Sequence, residues 1–182
     1  ATIAGYDPDV ASADLSFINV HYAVAAATLL GGDAQGGYQY AGKSYVGRYA
    51  HAEKYKTCSD CHDPHSTEFS PDTCSRCHPY AVDRTSLRDI RQSAVDYDGD
   101  GDVLEPIAAE IEAFHDALYV ALKAYTVQVV GQPLVYDEET FPYYFYDVNG
   151  NGISDGEELD RVNQYTSWTP RSLQAAYNYH FV

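Results

Sequence analysis

Residues 50–80 set the hardest constraint on the fold. They hold all four cysteines of the chain and four of its seven histidines, interrupted by Pro64, Pro71 and Pro79. A stretch so poor in apolar mass and so broken by proline cannot build its own core. Something other than the packing of its own side chains must order it.

The cysteines say what. Cys58-Ser59-Asp60-Cys61-His62 and Cys74-Ser75-Arg76-Cys77-His78 both read C-x-x-C-H, the attachment signature of c-type haem. Two thiols add across the two vinyl groups of the porphyrin, and the next residue offers an imidazole to the iron. The spacing therefore predicts two covalent haems, with His62 and His78 as proximal ligands. A four-cysteine zinc site also fits the separation of the pairs, and so do two disulfides in a secreted chain. Neither accounts for a histidine directly after each second cysteine. The linker between Cys61 and Cys74 spans at most about 40 Å at full extension, so the two rings should lie close together.

The chain contains no methionine, which removes His/Met ligation. The sixth ligand is then histidine or nothing. His51, seven residues before Cys58, is within easy reach of the first haem. Pro64 turns His65 away from the iron of His62, leaving it able to reach the second. His21 borders the apolar stripe of a helix and can meet either ring. His115 shares a face with Ile111 and Phe114 and reads as a core histidine, and His180 is ambiguous.

Two acidic loops point to a second kind of metal. Asp147-x-Asn149-x-Asn151-Gly152-Ile153-x-Asp155-x-x-Glu158 matches the twelve-residue calcium loop, with side-chain oxygens at positions 1, 3, 5, 9 and 12 and the Ile153 carbonyl at position 7. Asp96, Asp98, Asp100, Asp102 and Glu105 repeat the first half of that pattern, but position 12 is Ile107. Glu105 would have to serve from a shorter arc. One or two structural calcium ions are expected, against the alternative of solvated Asn/Asp/Gly turns.

The net charge of −16 argues against nucleic acid or an anionic membrane as partner. No apolar run reaches the roughly 18 residues of a membrane span. The lack of methionine and the start ATIAGYD predict a secreted or periplasmic chain whose signal peptide has been removed.

Helical spacing of apolar residues predicts helices over 14–30 and 105–130, the second opening at Pro106 and stopping at Gly131. Shorter helices are expected over 156–165 and 169–181, the last with Thr169 as cap and Pro170 in its first turn. Residues 37–49 predict a small hairpin. The expected fold is one domain over 1–182, mainly α, with little regular structure around the haems. It would comprise an N-terminal helix and hairpin (1–50), a haem-binding core (51–80) and a helical part with the calcium loops (81–182).

The stretches NVHYAVAAATLLGG, GGYQYAGKSYVGR, CSDCHDPHS, CSRCH, DYDGDGDVLEPIAAEI and SWTPRSLQAAYNY together resemble a domain of the large multihaem c-type cytochromes. That resemblance implies haems held by two histidines each, serving electron transfer across or outside the cell envelope. It also implies His21, His51 and His65 as distal ligands. Those proteins carry more haem motifs than the two found here. Some extracellular cytochromes polymerise, with axial histidines at times supplied by a neighbour, so a homopolymeric filament subunit is the leading expectation and a soluble electron shuttle the next. A haem enzyme with one open iron, or a zinc- and calcium-stabilised binding module, would be of another class. No catalytic residue is expected.

Overall fold

A computed structural model describes residues 3–20 and 23–181. The chain divides into two compact units. The first comprises Ala1–Val24, Gly36–Tyr40 and Ala117–Val182, and the second Ala25–Gln35 and Ala41–Asp116.

The first unit carries the aromatic core. Strands β1 (Leu134–Tyr136) and β2 (Tyr144–Tyr146) pair antiparallel, with Leu134 opposite Tyr146 and Tyr136 opposite Tyr144. Against this hairpin pack Leu15, Leu122, Tyr165, Trp168, Leu173 and Ala176, all essentially buried. The tyrosines enter the core because each hydroxyl finds a partner there. Tyr144 donates to the carbonyl of Ala176 at 2.6 Å, and Tyr165 to that of Gln132 at 3.2 Å. A chain with 18 tyrosines can thus build a core that is apolar in bulk and still hydrogen-bonded.

Helix α5 (Pro170–Phe181) closes this unit. It begins where the sequence puts it: the Thr169 hydroxyl accepts from the Ser172 amide at 3.1 Å, and Pro170 needs no amide partner in the first turn. Helix α4 (Ile107–Tyr125) continues through a π-helical turn, Thr126–Val130, and stops at Gly131, whose φ of +72° suits glycine. It belongs to the second unit up to Asp116 and to the first from Ala117.

Regular structure elsewhere is sparse. Among the described residues the N-terminal helix α1 runs only over Ala23–Leu30, shorter than the stripe from residue 14 predicts. Residues 37–49 form a turn at 41–42 but no strand. Residues 156–165 hold a turn and one 3-10 turn, Arg161–Asn163, in place of the expected helix. Asp160 and Asp155 take amides there through their side chains, and such local bonding competes with a helix.

The second unit contains α2 (Pro71–Cys74) and α3 (Arg84–Leu87). Among its described residues, Ala81 is the one buried hydrophobic side chain. Tyr80 and Leu104, at 89% and 87% exposure, stand in water. This unit is a shell without a core of its own.

Candidate functional site

Both C-x-x-C-H motifs fold the same way. The amides of Cys61 and His62 both donate to the carbonyl of Cys58, at 3.2 and 2.8 Å. Those of Cys77 and His78 donate to the carbonyl of Cys74, at 3.1 and 2.9 Å. Each motif is thus a single helical turn that brings its histidine back over its first cysteine. The turns are started by side chains. Asp60 accepts the amides of Lys56 and Thr57, both at 2.8 Å, which holds its carboxyl below the usual range. Pro71 opens α2 ahead of Cys74.

His62 is already oriented. Its Nδ1 lies 2.7 Å from the carbonyl oxygen of Thr67. A carbonyl only accepts, so Nδ1 carries the proton and Nε2 keeps its lone pair for a metal. Asp63 builds the loop that supplies that carbonyl. Its side chain takes the amides of His65 and Ser66 at 2.9 Å, and its own carbonyl takes the amide of Thr67.

The second motif faces a cavity of about 370 Å³, lined among others by Tyr49, His51, Cys61, Cys74, Cys77 and His78. Cysteines of both motifs therefore border one space. Partial burial, with Cys74 beside it, pushes the Cys61 thiol up. Across this space the rings of His51 and His78 stand 6.0 Å apart, centre to centre. Two imidazoles bound on opposite sides of one metal, each at about 2 Å, have centres about 6 Å apart. Proximity in sequence favours the first motif for His51, but the fold places it against the second.

What carries His51 there is a clasp of glycines. The amide of Gly32 donates to Val46 O at 2.6 Å and that of Tyr49 to Leu29 O at 3.1 Å. Gly31 has φ +52°, and a Cβ on it would stand 2.5 Å from Val46 O and 2.6 Å from Gly47 O. Only glycine allows that approach. Asp33 takes the Arg48 amide, and Arg48 reaches the Lys56 carbonyl at 3.0 Å.

His65 sits on the exposed turn made by Asp63. His21 lies outside the described residues. His115 is half-buried rather than enclosed. His180 is in the first unit, its ring near those of Phe17, Tyr136 and Tyr143.

A covalent haem fits this unit. The shell has no core, its cysteines are free, and two histidines face one another across a half-open cavity. Zinc fits less well. Among the described residues, the groups of three or more metal-binding side chains with ligand atoms within 4.8 Å of one another are all acidic. Tetrahedral zinc needs its sulfurs about 3.8 Å apart.

The chain is similar to the C-type polyheme cytochrome OmcB of Geobacter sulfurreducens. The likeness is to a multihaem c-type cytochrome. It holds for OmcB of strain DL-1 / KN400 and of strain ATCC 51573 / DSM 12127 / PCA, at 26% identity over 174 residues in each case. It covers 85% of this chain and 21% of the relative, so the chain spans about a fifth of the length of the curated relatives it matches. No family model and no solved structure matches the chain. Among the described residues, no helix is long and apolar enough to cross a membrane.

The two acidic loops lie in different units. In the loop from Asp96, the Asp96 carboxylate takes the amides of Gly99 and Gly101. Asp98, Asp100 and Asp102 each take an amide two residues on. The sequence pattern misses Glu110, in the first turn of α4. It is 1% exposed, its Oε2 accepts from Tyr97 and Asp98 amides at 2.6 and 2.8 Å, and its Oε1 is 2.7 Å from Arg91 Nη2. Burial opposes its charge, but Arg91 and the two amides outweigh it and lower its pKa. Asp96, Asp98 and Glu110 converge within 4.8 Å, as do Asp98, Asp100 and Glu105. Burial, then the charges of Asp100 and Asp98, push Glu105 up.

In the loop from Asp147, Gly152 donates to Asp147 Oδ2 at 3.0 Å and Val148 to Glu158 Oε1 at 3.1 Å. Asn149 and Asn151 both donate to Asp155 Oδ2, at 3.0 and 2.9 Å. Burial raises the pKa of Glu158, and neighbouring Asp147 adds to the rise.

Proposed function

We propose that the chain is a dihaem c-type electron-transfer protein whose irons are each held by two histidines. The observation that carries the reading is the coreless second unit, with His51 and His78 facing across a cavity bordered by Cys61, Cys74 and Cys77. Likeness to a polyhaem cytochrome supports it. Haem, when bound, supplies a one-electron couple at iron.

The chain's own residues do the rest. Cys58 and Cys61, and Cys74 and Cys77, tether one group each. His62, protonated at Nδ1 by its bond to Thr67 O, presents Nε2. His51 and His78, with ring centres 6.0 Å apart, would hold the second group from both sides and leave no position open to a substrate, which favours electron transfer over catalysis. His21 and His65 are the candidates for the other distal position. Cys61 and Cys74 border one space, which would keep two tethered groups near enough for electrons to pass between them. Two groups carry charge only across one chain, so copies in series, as in a filament outside the cytoplasm, would extend the path. Exposed Tyr80 and Leu104 suit contact between copies.

Carbon monoxide added to the reduced native protein tests the ligation. No change in the haem absorption bands is expected, since both positions on each iron are filled. A shifted band would show an open iron and replace this reading with a haem enzyme. Electron microscopy of the protein from its native source tests assembly: regular filaments are expected, and discrete particles would make it a shuttle.

A further inference from the structure

We propose that residues 147–158 bind one calcium ion, with Asp147 Oδ1 and Glu158 as its buried carboxylate ligands. The loop lies wholly within the first unit, so this site is independent of the haem reading.

The argument starts from an unbalanced pair of charges. Glu158 is fully buried and Asp147 is 9% exposed. Asp147 Oδ2 takes the Gly152 amide, but its Oδ1 is buried without a hydrogen-bond partner. The ion pairs formed among the described residues include neither carboxylate. Lys123 places its ammonium on the Gly152 carbonyl at 3.2 Å and on the face of the Tyr119 ring, and forms no ion pair with either carboxylate. Two neighbouring carboxylates withdrawn from water, with no ion pair to either, are strongly unfavourable.

The other acidic loop shows the contrast. There the buried carboxylate of Glu110 faces Arg91, itself only 9% exposed at its side chain. A guanidinium pairs with the buried carboxylate in that unit, whereas among the described residues no ion pair reaches Asp147 or Glu158 here. A hard divalent cation supplies the positive charge in the Asp147 loop, and the spacing gives calcium its usual set. Asn149, Asn151 and Asp155 follow at positions 3, 5 and 9, the Ile153 carbonyl at 7 and Glu158 at 12. Gly152 at position 6 has the φ of +73° that the sharp turn demands.

The test is equilibrium dialysis of the intact, haem-loaded chain against radioactive calcium, paired with thermal melting in calcium and in chelator. Wild type should bind calcium and melt at higher temperature with it. Glu158→Gln keeps the shape and removes the charge, and should weaken calcium binding at least about tenfold. Asp147→Asn should do the same. Both should keep the wild-type haem spectrum, and both should melt no lower than wild type in chelator, which separates loss of the site from loss of the fold. Asp96→Asn should retain the Asp147-loop calcium. No bound calcium in wild type would overturn the proposal. So would a number of bound calcium ions unchanged from wild type when Glu158→Gln and Asp147→Asn are combined.

Discussion

His51 shows how a single residue acquires a role through contacts far away in sequence. Its ring stands opposite His78 because Gly31 lets the chain at Val46 and Gly47 approach. Replacing His51 with alanine should open one iron of the two. In the reduced variant, half of the haem absorption should then shift with carbon monoxide. Gly31→Ala would place a Cβ against two backbone oxygens at a positive φ, and should cost about 1–3 kcal/mol in denaturant melts. The two C-x-x-C-H turns were legible because their signal is confined to five consecutive residues. The partner of His51 was not, because a seven-residue separation from Cys58 says nothing of a clasp between residues 31 and 46. Glu110 escaped for the same reason: it lies beyond the twelve positions of the loop pattern, and only the start of α4 turns it back toward Tyr97 and Asp98.

At the scale of elements, legibility followed the length of the signal. Helix α4 and helix α5 have long stripes and clear caps, Pro106 and Gly131 for one and Thr169-Pro170 for the other. The hairpin β1–β2 has strands of three residues each, too short for an alternating pattern to register. Its stability comes from tertiary contacts with Phe17, Tyr165 and Trp168. Where α5 meets the hairpin, His180 Nδ1 lies 2.9 Å from the Tyr136 hydroxyl, and burial lowers the histidine's pKa below its ordinary value. The neutral ring is the one that the fold prefers. Its contribution is therefore complete above about pH 6.5 and is lost as pH falls through the lowered pKa. Melting temperature should decline on acidification from pH 7.5, and His180→Gln, with a side chain that does not titrate, should flatten that decline.

The whole molecule is divided in how it is stabilised. The first unit buries Trp168, Tyr144, Phe145 and their neighbours, while among the described residues of the second Ala81 is the one buried apolar side chain. A chain made without haem attachment should therefore lose the second unit alone. Limited proteolysis should cut within residues 41–105, while the near-ultraviolet signal of Trp168 and the core tyrosines persists. Uniform resistance along such a chain would show that the second unit orders itself without a prosthetic group. The absence of a core in residues 50–80 was readable in the sequence, as a shortage of apolar residues among prolines. Two haems are proposed to supply that missing core. The most direct measurement is the intact mass of the denatured native protein, taken with its visible spectrum. A mass above that of the polypeptide by two haem groups is expected, together with the absorption bands of c-type haem. A colourless protein at the mass of the bare polypeptide would contradict the proposal.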